Sequence, residues 1–195
     1  MKLLSFQGDV PYASNTHVLI SEGEALVVDP SIDADVILSN LTGEVDKISA
    51  VVLTHAHFDH MLCIDSYYAK SIPILVGRED IPVLKDSRLN CYMQFSGQDI
   101  SFTGEVTQIS EGDKISVGRE VLTVMETPGH TPGSISLYTD GVLVSGDLIF
   151  AGGGFGRYDL PGGDYKALFE SISRVGRLPK GTRVLTGHGP DTYIN

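Results

Sequence analysis

Short apolar runs, bounded by glycine, proline or charged residues, divide the chain into segments of strand length. The runs that predict strands are residues 17–20, 25–28, 48–53, 74–76, 114–117, 121–125, 135–139, 142–145 and 183–186. Asp140-Gly141 separates two of these runs by only two residues, which indicates a hairpin whose turn needs positive φ at both positions. The pattern therefore predicts many short strands, four of them consecutive.

Three other segments are predicted to be α-helices. Residues 34–41 follow Ser31 and Asp33, either of which can cap a helix, and residues 61–70 form a second helical segment. Behind the capping residue Asp164, apolar residues recur at helical spacing: Tyr165, Leu168, Phe169, Ile172 and Val175. Residues 78–112 show no clear period, and we interpret them as a mobile flap. Strands and helices in this order predict an α/β fold with two sheets and outer helices.

Composition and charge exclude several classes of protein and partner. The 195 residues are 42% hydrophobic, enough for a folded core, and show no linker or repeat, so we expect one domain over 1–195. Fourteen Lys and Arg against 25 Asp and Glu give a net charge of −11 without any basic run, which argues against a nucleic-acid partner. No apolar run is long enough for a membrane span or a signal peptide, and two cysteines are too few for a disulfide framework. We therefore predict a soluble cytoplasmic protein without a membrane partner.

The residues that carry chemistry stand close behind strand-like runs. Five of the six histidines and two aspartates have this placement: His55, His57, Asp59, His60, His130, Asp147 and His188. Prolines and glycines surround His130, and glycines flank His188, so the backbone there is either stiff or open to close approach. Loops at strand ends can present several side chains to one point without burying unpaired polar groups.

The motif His-Ala-His-Phe-Asp-His at residues 55–60 predicts a metal site. Residues i and i+2 of an extended segment share a face, so His55 and His57 can chelate one cation. Asp59 and His60 can reach the site only if the chain turns after His57. Imidazole and carboxylate are ligands that Zn²⁺ prefers, and they also serve Fe or Mn. Three imidazoles and a carboxylate so close together have no ordinary packing use. The isolated His17, by contrast, is interpreted as a core residue outside the site.

Together the motifs resemble, in order and distance, those of the metallo-β-lactamase superfamily, over almost the whole chain. The resemblance implies an αββα sandwich of two mixed sheets, with helices on the outer faces and metals between the loops at one edge. It implies that the first metal is held by His55, His57 and His130, and the second by Asp59, His60 and His188. Asp147 would bridge the two metals.

Residues 156–163, which read Gly-Arg-Tyr-Asp-Leu-Pro-Gly-Gly, further resemble the short bacterial hydrolases that are similar to glyoxalase II. This resemblance implies a small-molecule partner, a thioester of the S-acylglutathione type, cleaved by a metal-bridging hydroxide. Asp59 and Asp147 would be the catalytic carboxylates. The cofactors would be two divalent ions, with zinc as the preferred metal. The helical glutathione-binding domain that follows this core in the longer enzymes is absent from 1–195.

Arg157 and Tyr158 are the candidate substrate-binding residues. The five donors of Arg157 suit a substrate carboxylate, but a salt bridge that pins the glycine-rich loop 152–156 is an equally good interpretation. Cys63 matches no ligand position and is interpreted as a buried structural thiol. Met61-Leu62-Cys63 stands where the family usually shows glycines, which could alter the packing of the following helix.

Several alternative functions stay open on the sequence alone. Persulfide dioxygenases have similar motifs but bind a single iron with two histidines and one carboxylate. Metal content and oxygen uptake therefore distinguish a dioxygenase from a hydrolase. A lactonase, a phosphodiesterase and a non-catalytic metal-stabilised module are the remaining alternatives. A true β-lactamase is not expected, because the zinc β-lactamases with a cysteine ligand place it in the third motif, where Gly146-Asp147 stands here.

Overall fold

The computed structural model describes residues 1–195 and contains two sheets of six strands each. The first sheet consists of β1 (Lys2–Gln7), β2 (Asn15–Ser21), β3 (Glu24–Val28), β4 (Lys47–Leu53), β5 (Ile74–Gly77) and β6 (Thr107–Ile109). The second consists of β7 (Lys114–Val117), β8 (Glu120–Glu126), β9 (Ile135–Thr139), β10 (Val142–Gly146), β11 (Arg183–Thr186) and β12 (Thr192–Tyr193). The α-helices are α1 (Ala34–Asn40), α2 (Ile64–Tyr68), α3 (Ile81–Leu84), α4 (Tyr92–Ser96) and α5 (Tyr165–Val175). None of them is long and apolar enough to cross a membrane.

Both sheets mix parallel and antiparallel pairs. In the first sheet β1, β2 and β3 pair antiparallel, and β3 to β6 pair parallel. In the second sheet, ordered β12-β11-β10-β9-β8-β7, only β10 and β11 are parallel. Parallel neighbours need a crossover connection, and α1, α2 and α5 lie in the crossovers β3 to β4, β4 to β5 and β10 to β11.

Successive side chains of a strand point to opposite faces of its sheet, and the core therefore consists of three layers. In β2, Leu19 packs between the sheets, while its neighbours Val18 and Ile20 belong to the cluster under α1 and α2. On the outer face of the second sheet, Leu168 and Val175 of α5 pack in a third cluster. This arrangement confirms the predicted αββα sandwich with helices on the outer faces.

Two hairpin turns, one in each sheet, differ in backbone conformation. Glu22 and Gly23 join β2 to β3 with φ values of +50° and +78°, the pair of positive values that a type I′ turn requires. Asp140-Gly141 does join β9 to β10, but only Gly141 has a positive φ, at +75°. The expectation of positive φ at both positions of this turn is therefore wrong.

The remaining differences from the sequence prediction lie in short and peripheral elements. Helix α2 is shorter than the predicted 61–70, because Phe58–His60 forms a 3₁₀ turn and the α-helix begins only after it. Residues 78–112 contain α3, α4 and β6, and bury Leu84 and Phe102 in the core, so the segment is packed and is not a loose flap. Strands β1, β6 and β12 were missed because each is a sheet edge with partly exposed side chains.

Candidate metal centre

The seven predicted metal ligands converge where the loops after β4, β8, β10 and β11 meet. Their donor atoms form three groups within 4.8 Å: His55, His57 and His130; His55, His60 and Asp147; Asp59, His60 and His188. The structure thus brings together side chains that are up to 133 residues apart in the chain, His55 to His188. The first and third groups match the two ligand sets that the sequence resemblance implies.

The first group consists of three buried imidazoles. Nδ1 of His57 lies 2.9 Å from Nε2 of His130, and the ring of His55 stands edge-on to both. Burial lowers the pKa of His57 to about 3, with a contribution from His130, and burial also lowers the pKa of His55 well below its usual value. Both rings are therefore neutral at pH 7, the form that binds a metal.

The carboxylate of Asp147 stands between this group and the third one. Its Oδ2 atom lies 3.6 Å from Nε2 of His130 and also 3.6 Å from Nε2 of His188. Its Oδ1 atom lies 3.3 Å from Nε2 of His60. In the third group, Oδ2 of Asp59 is 3.1 Å from Nε2 of His188. One carboxylate thus faces donors of both groups.

Charges within the cluster offset the cost of burying it. Burial raises the pKa of Asp147, but His60, His130 and His188 outweigh that effect and hold the pKa below its usual value. Burial lowers the pKa of His60, but the carboxylates of Asp29, Asp147 and Asp59 raise it well above its usual value. The pocket therefore keeps Asp147 ionised and attracts positive charge.

Four buried polar atoms of the cluster have no hydrogen-bond partner: Nε2 of His55, Nε2 of His57, Nε2 of His60 and Oδ1 of Asp147. Unpaired buried polar atoms are costly and rare in folded proteins, so a concentration of them at one point needs a partner. Divalent cations take imidazole nitrogens and carboxylate oxygens as ligands. The residues present therefore fit a metal centre.

Asp29 and Asp80, two buried aspartates that the sequence analysis did not select, hold the loops in place. Asp29 accepts hydrogen bonds from the amide and hydroxyl of Thr54 and lies 2.8 Å from Nδ1 of His60. Asp80 accepts from the Ala56 amide on one loop and from Thr131 and Gly133 on another. Asp29 directly follows β3, just as Asp147 directly follows β10, so its position after a strand could have identified it. Asp80 lies in residues 78–112, where the sequence shows no clear pattern.

Glycine is required next to Asp147. A Cβ atom on Gly187 would lie 2.1 Å from Oδ1 of Asp147, and one on Gly156 would lie 1.9 Å from the Asp147 carbonyl oxygen. Contacts this short do not occur, so any side chain would displace the aspartate. Glycine at these two positions gives the carboxylate its space.

His17 and Cys63 lie outside the donor groups. His17 is buried, with Nδ1 2.8 Å from the Ser5 hydroxyl and Nε2 2.9 Å from the Thr186 carbonyl oxygen, as expected for a core histidine. Cys63 is only half-buried, and its thiol lies 3.5 Å from the Ser31 carbonyl oxygen. Its amide donates to the carbonyl of Pro30, which joins the start of α2 to the loop after β3.

Arg157 and Tyr158, the candidate substrate-binding residues, have different surroundings. Arg157 lines the cavity above the donor groups, but its guanidinium donates two hydrogen bonds to Asp159, of 2.8 and 2.9 Å. Its carbonyl oxygen accepts from Nδ1 of His130 at 2.6 Å. Tyr158 packs edge-on against Tyr165 with ring centroids 5.1 Å apart and does not line the cavity. The salt bridge of Arg157 therefore lies within residues 157–159 and does not pin the loop 152–156.

Known proteins of the same architecture share this chain's fold over its full length. A crystal structure of BLEG-1 B3 metallo-β-lactamase superposes with a TM-score of 0.88 at 34% identity, covering 99% of this chain and 94% of that one. TTHA1623 in a di-iron-bound form superposes with a TM-score of 0.82 at 31% identity, covering 100% and 95%.

Sequence relatives agree with the structural ones. A probable metallo-hydrolase of Bacillus subtilis, YqgX, is 35% identical over 189 residues, which are 94% of this chain and 89% of the relative. Hydroxyacylglutathione hydrolases of several bacteria are 28 to 34% identical, and the chain spans 56 to 64% of their length. The sequence profile of the metallo-β-lactamase superfamily matches residues 9–188, and the chain therefore belongs to this superfamily.

Proposed function

We propose that this superfamily member is a dinuclear metal-dependent hydrolase that cleaves a small thioester, of the S-acylglutathione type. The observation that carries the proposal is the position of Asp147, whose Oδ2 atom faces His130 of one donor group and His188 of the other at equal distances of 3.6 Å. The di-iron-bound form of TTHA1623 and the hydroxyacylglutathione hydrolase relatives support it. Zinc as the metal, a single catalytic domain and a cytoplasmic location belong to the same proposal.

The first and third donor groups would each hold one metal. His55, His57 and His130 would bind the first, Asp59, His60 and His188 the second, and Asp147 both. Two bound divalent cations supply hydroxide at neutral pH and polarise a substrate carbonyl. The chain's own part is to fix the donors: Asp29 orients His60, the Arg157 carbonyl orients His130, and Gly187 leaves room for Asp147.

The cavity favours a substrate whose leaving group departs as an anion. Beyond the candidate ligands, the ionisable side chains that line it are Tyr12, Cys91 and Arg157. Burial raises the pKa of the Cys91 thiol to about 11, and Arg157 is paired with Asp159. No histidine or carboxylic acid outside the donor groups is therefore placed to protonate a leaving group. A thiolate, with its low pKa, needs little such help.

Metal analysis and a substrate panel test the proposal together. Protein purified without chelator is expected to contain about two metals per chain, because Asp147 faces both the first and the third donor group. The panel contains S-acyl thioesters, a lactone, a phosphodiester and a persulfide with oxygen-uptake measurement. One iron per chain with oxygen consumption on the persulfide and no thioester turnover would show that the protein is a dioxygenase instead.

The sequence argument against a β-lactamase concerns only the enzymes with a cysteine ligand, and the likeness to BLEG-1 favours β-lactam hydrolysis as a second candidate function. A β-lactam, like a thioester, is opened by attack on a carbonyl carbon, so the same centre could serve either reaction. A chromogenic β-lactam in the panel separates the two. Turnover of the β-lactam with a kcat/KM above that of every thioester would replace the first proposal with the second.

A further inference from the structure

A cavity of about 330 Å³ opens above the donor groups. This volume lies within the roughly 300 to 1,000 Å³ of small-molecule sites. Six of the residues that line it have large apolar or aromatic side chains: Tyr12, Phe58, Phe95, Phe150, Phe155 and Leu160. The metal donors therefore sit at the base of an apolar enclosure.

The aromatic rings form a continuous wall on one side. The ring of Phe58 lies 5.5 Å from that of Tyr12 and 5.5 Å from that of Phe95, distances at which aromatic pairs attract. Phe58 is itself buried, between the candidate ligands His57 and Asp59. The wall thus begins next to the donors and extends outward to Phe95, which is 58% exposed.

Partners for a charged substrate are scarce in the same cavity. Arg157 is the one cationic Lys or Arg side chain that lines it, and Asp159 already occupies two of its donors. A glutathione moiety carries two carboxylates and the chain as a whole a charge of −11, so selection within this cavity falls to the acyl half of an S-acylglutathione-type thioester. Apolar contact, rather than ion pairing, is what the walls can provide.

We infer that the cavity selects an uncharged, apolar acyl group, such as phenylacetyl, bound against the Phe58 and Phe95 rings. The inference rests on the hydrolase function proposed above, and it names the substrate class of that site. A polar acyl group such as lactoyl would lose hydration against these apolar walls, where Tyr12, Cys91 and Arg157 are the only side chains outside the donor groups that can hydrogen-bond to it.

Calorimetric titration of the metal-containing protein with free carboxylic acids measures this selection without any hydrolysis. Phenylacetate is expected to bind about tenfold or more tightly than lactate, the range for added apolar groups in an apolar pocket. Phe95→Ala should reduce the ratio severalfold. Tyr193→Ala, which truncates an equally exposed aromatic outside the cavity, should leave the ratio unchanged. A ratio near one, or one that Phe95→Ala does not alter, overturns the inference.

Kinetics on matched thioesters separate failure of the inference from failure of the function. Phenylacetyl and lactoyl thioesters of one uncharged thiol, N-acetylcysteamine, are expected to differ in kcat/KM by about tenfold or more in favour of phenylacetyl. Equal turnover of both contradicts the inference and leaves the hydrolase intact. Absence of all thioester turnover, with the binding preference for phenylacetate present, contradicts thioester hydrolysis and supports the apolar selection.

Discussion

The Nδ1 atom of His60 lies 2.8 Å from Oδ2 of Asp29, and both side chains are completely buried. The same carboxylate accepts hydrogen bonds from the amide and the hydroxyl of Thr54, at 2.8 and 2.7 Å. Asp29 follows β3 and Thr54 follows β4, so one carboxylate joins the ends of two neighbouring strands and leaves Nε2 of His60 directed at Asp147. Carboxylate partners of this kind orient ligand imidazoles and raise their basicity.

Asp29→Asn is expected to weaken metal binding by about 10- to 100-fold, the usual effect of losing a carboxylate that orients a ligand. An asparagine has one acceptor oxygen for three donors, so either His60 or Thr54 loses its partner. Zinc titration with a competing chelator measures the change. Asp33→Asn is the matched control, because Asp33 caps α1 away from the donor groups. Equal zinc affinity in parent and Asp29→Asn would show that Asp29 serves packing alone.

Gly187→Ala is expected to lower metal content without unfolding the protein. The added methyl would lie 2.1 Å from Oδ1 of Asp147 and must push this carboxylate away from His60. Elemental analysis together with circular dichroism separates metal loss from unfolding. Gly176→Ala is the control, since its Cβ would meet nothing closer than 3.3 Å. A Gly187→Ala variant with full metal content would show that Asp147 has room to move.

The seven donors could be predicted because each follows an apolar run, and glycines or prolines surround several of them. Both signals are local and can be recognised in a single sequence. Asp29 carried the same signal at the end of β3, but a single aspartate after a strand is more often a turn residue. Asp80 carried none, because its role depends on contacts with Ala56 and Gly133, on two loops distant in sequence.

The sandwich could be predicted from strands that are buried on one or both faces, whereas three of its four edge strands, β1, β6 and β12, could not. The fourth, β7, alternates between exposed and buried residues and was predicted. Strand β1 has no fully buried residue, and β12 has two residues in all, so neither shows such a pattern. Edge strands satisfy only one row of backbone hydrogen bonds and bury less side-chain area. Their pairing is decided by the neighbouring strand, which a single segment of sequence does not show.

His17→Asn is expected to keep the metal content of the parent while lowering the free energy of unfolding. His17 joins Ser5 on β1 to the Thr186 carbonyl on β11, and the imidazole is buried. A shorter amide cannot reach both partners, and leaving one of them unpaired costs about 1 to 3 kcal/mol. Urea unfolding and elemental analysis measure the two quantities. Loss of metal in this variant would place His17 in the ligand set.

Glu111→Gln is expected to lower stability at neutral pH and to have no effect in acid. The guanidinium of Arg174 on α5 donates to Glu111 at 2.9 Å and also to the Glu126 carbonyl at 3.0 Å, so it joins the helix to β8. This hydrogen bond from Arg174 is the main cause that holds the pKa of Glu111 below its usual value.

A lowered pKa in the folded state means that the ionised form of Glu111 stabilises the fold above the carboxyl's ordinary pKa of about 4.3. This stabilisation disappears as the pH falls through the lower folded-state value. Because Glu111 is half-exposed, water screens the pair, and the difference between parent and Glu111→Gln at pH 7 should not exceed about 1 kcal/mol. Urea unfolding from pH 7 into the acid range should show the two curves converging. Glu170 lies on α5, the helix of Arg174, but its carboxylate is 3.8 Å from its partner Lys166, so Glu170→Gln should have the stability of the parent at every pH. A constant difference between parent and Glu111→Gln at every pH would mean that shape, and not charge, gives Glu111 its effect.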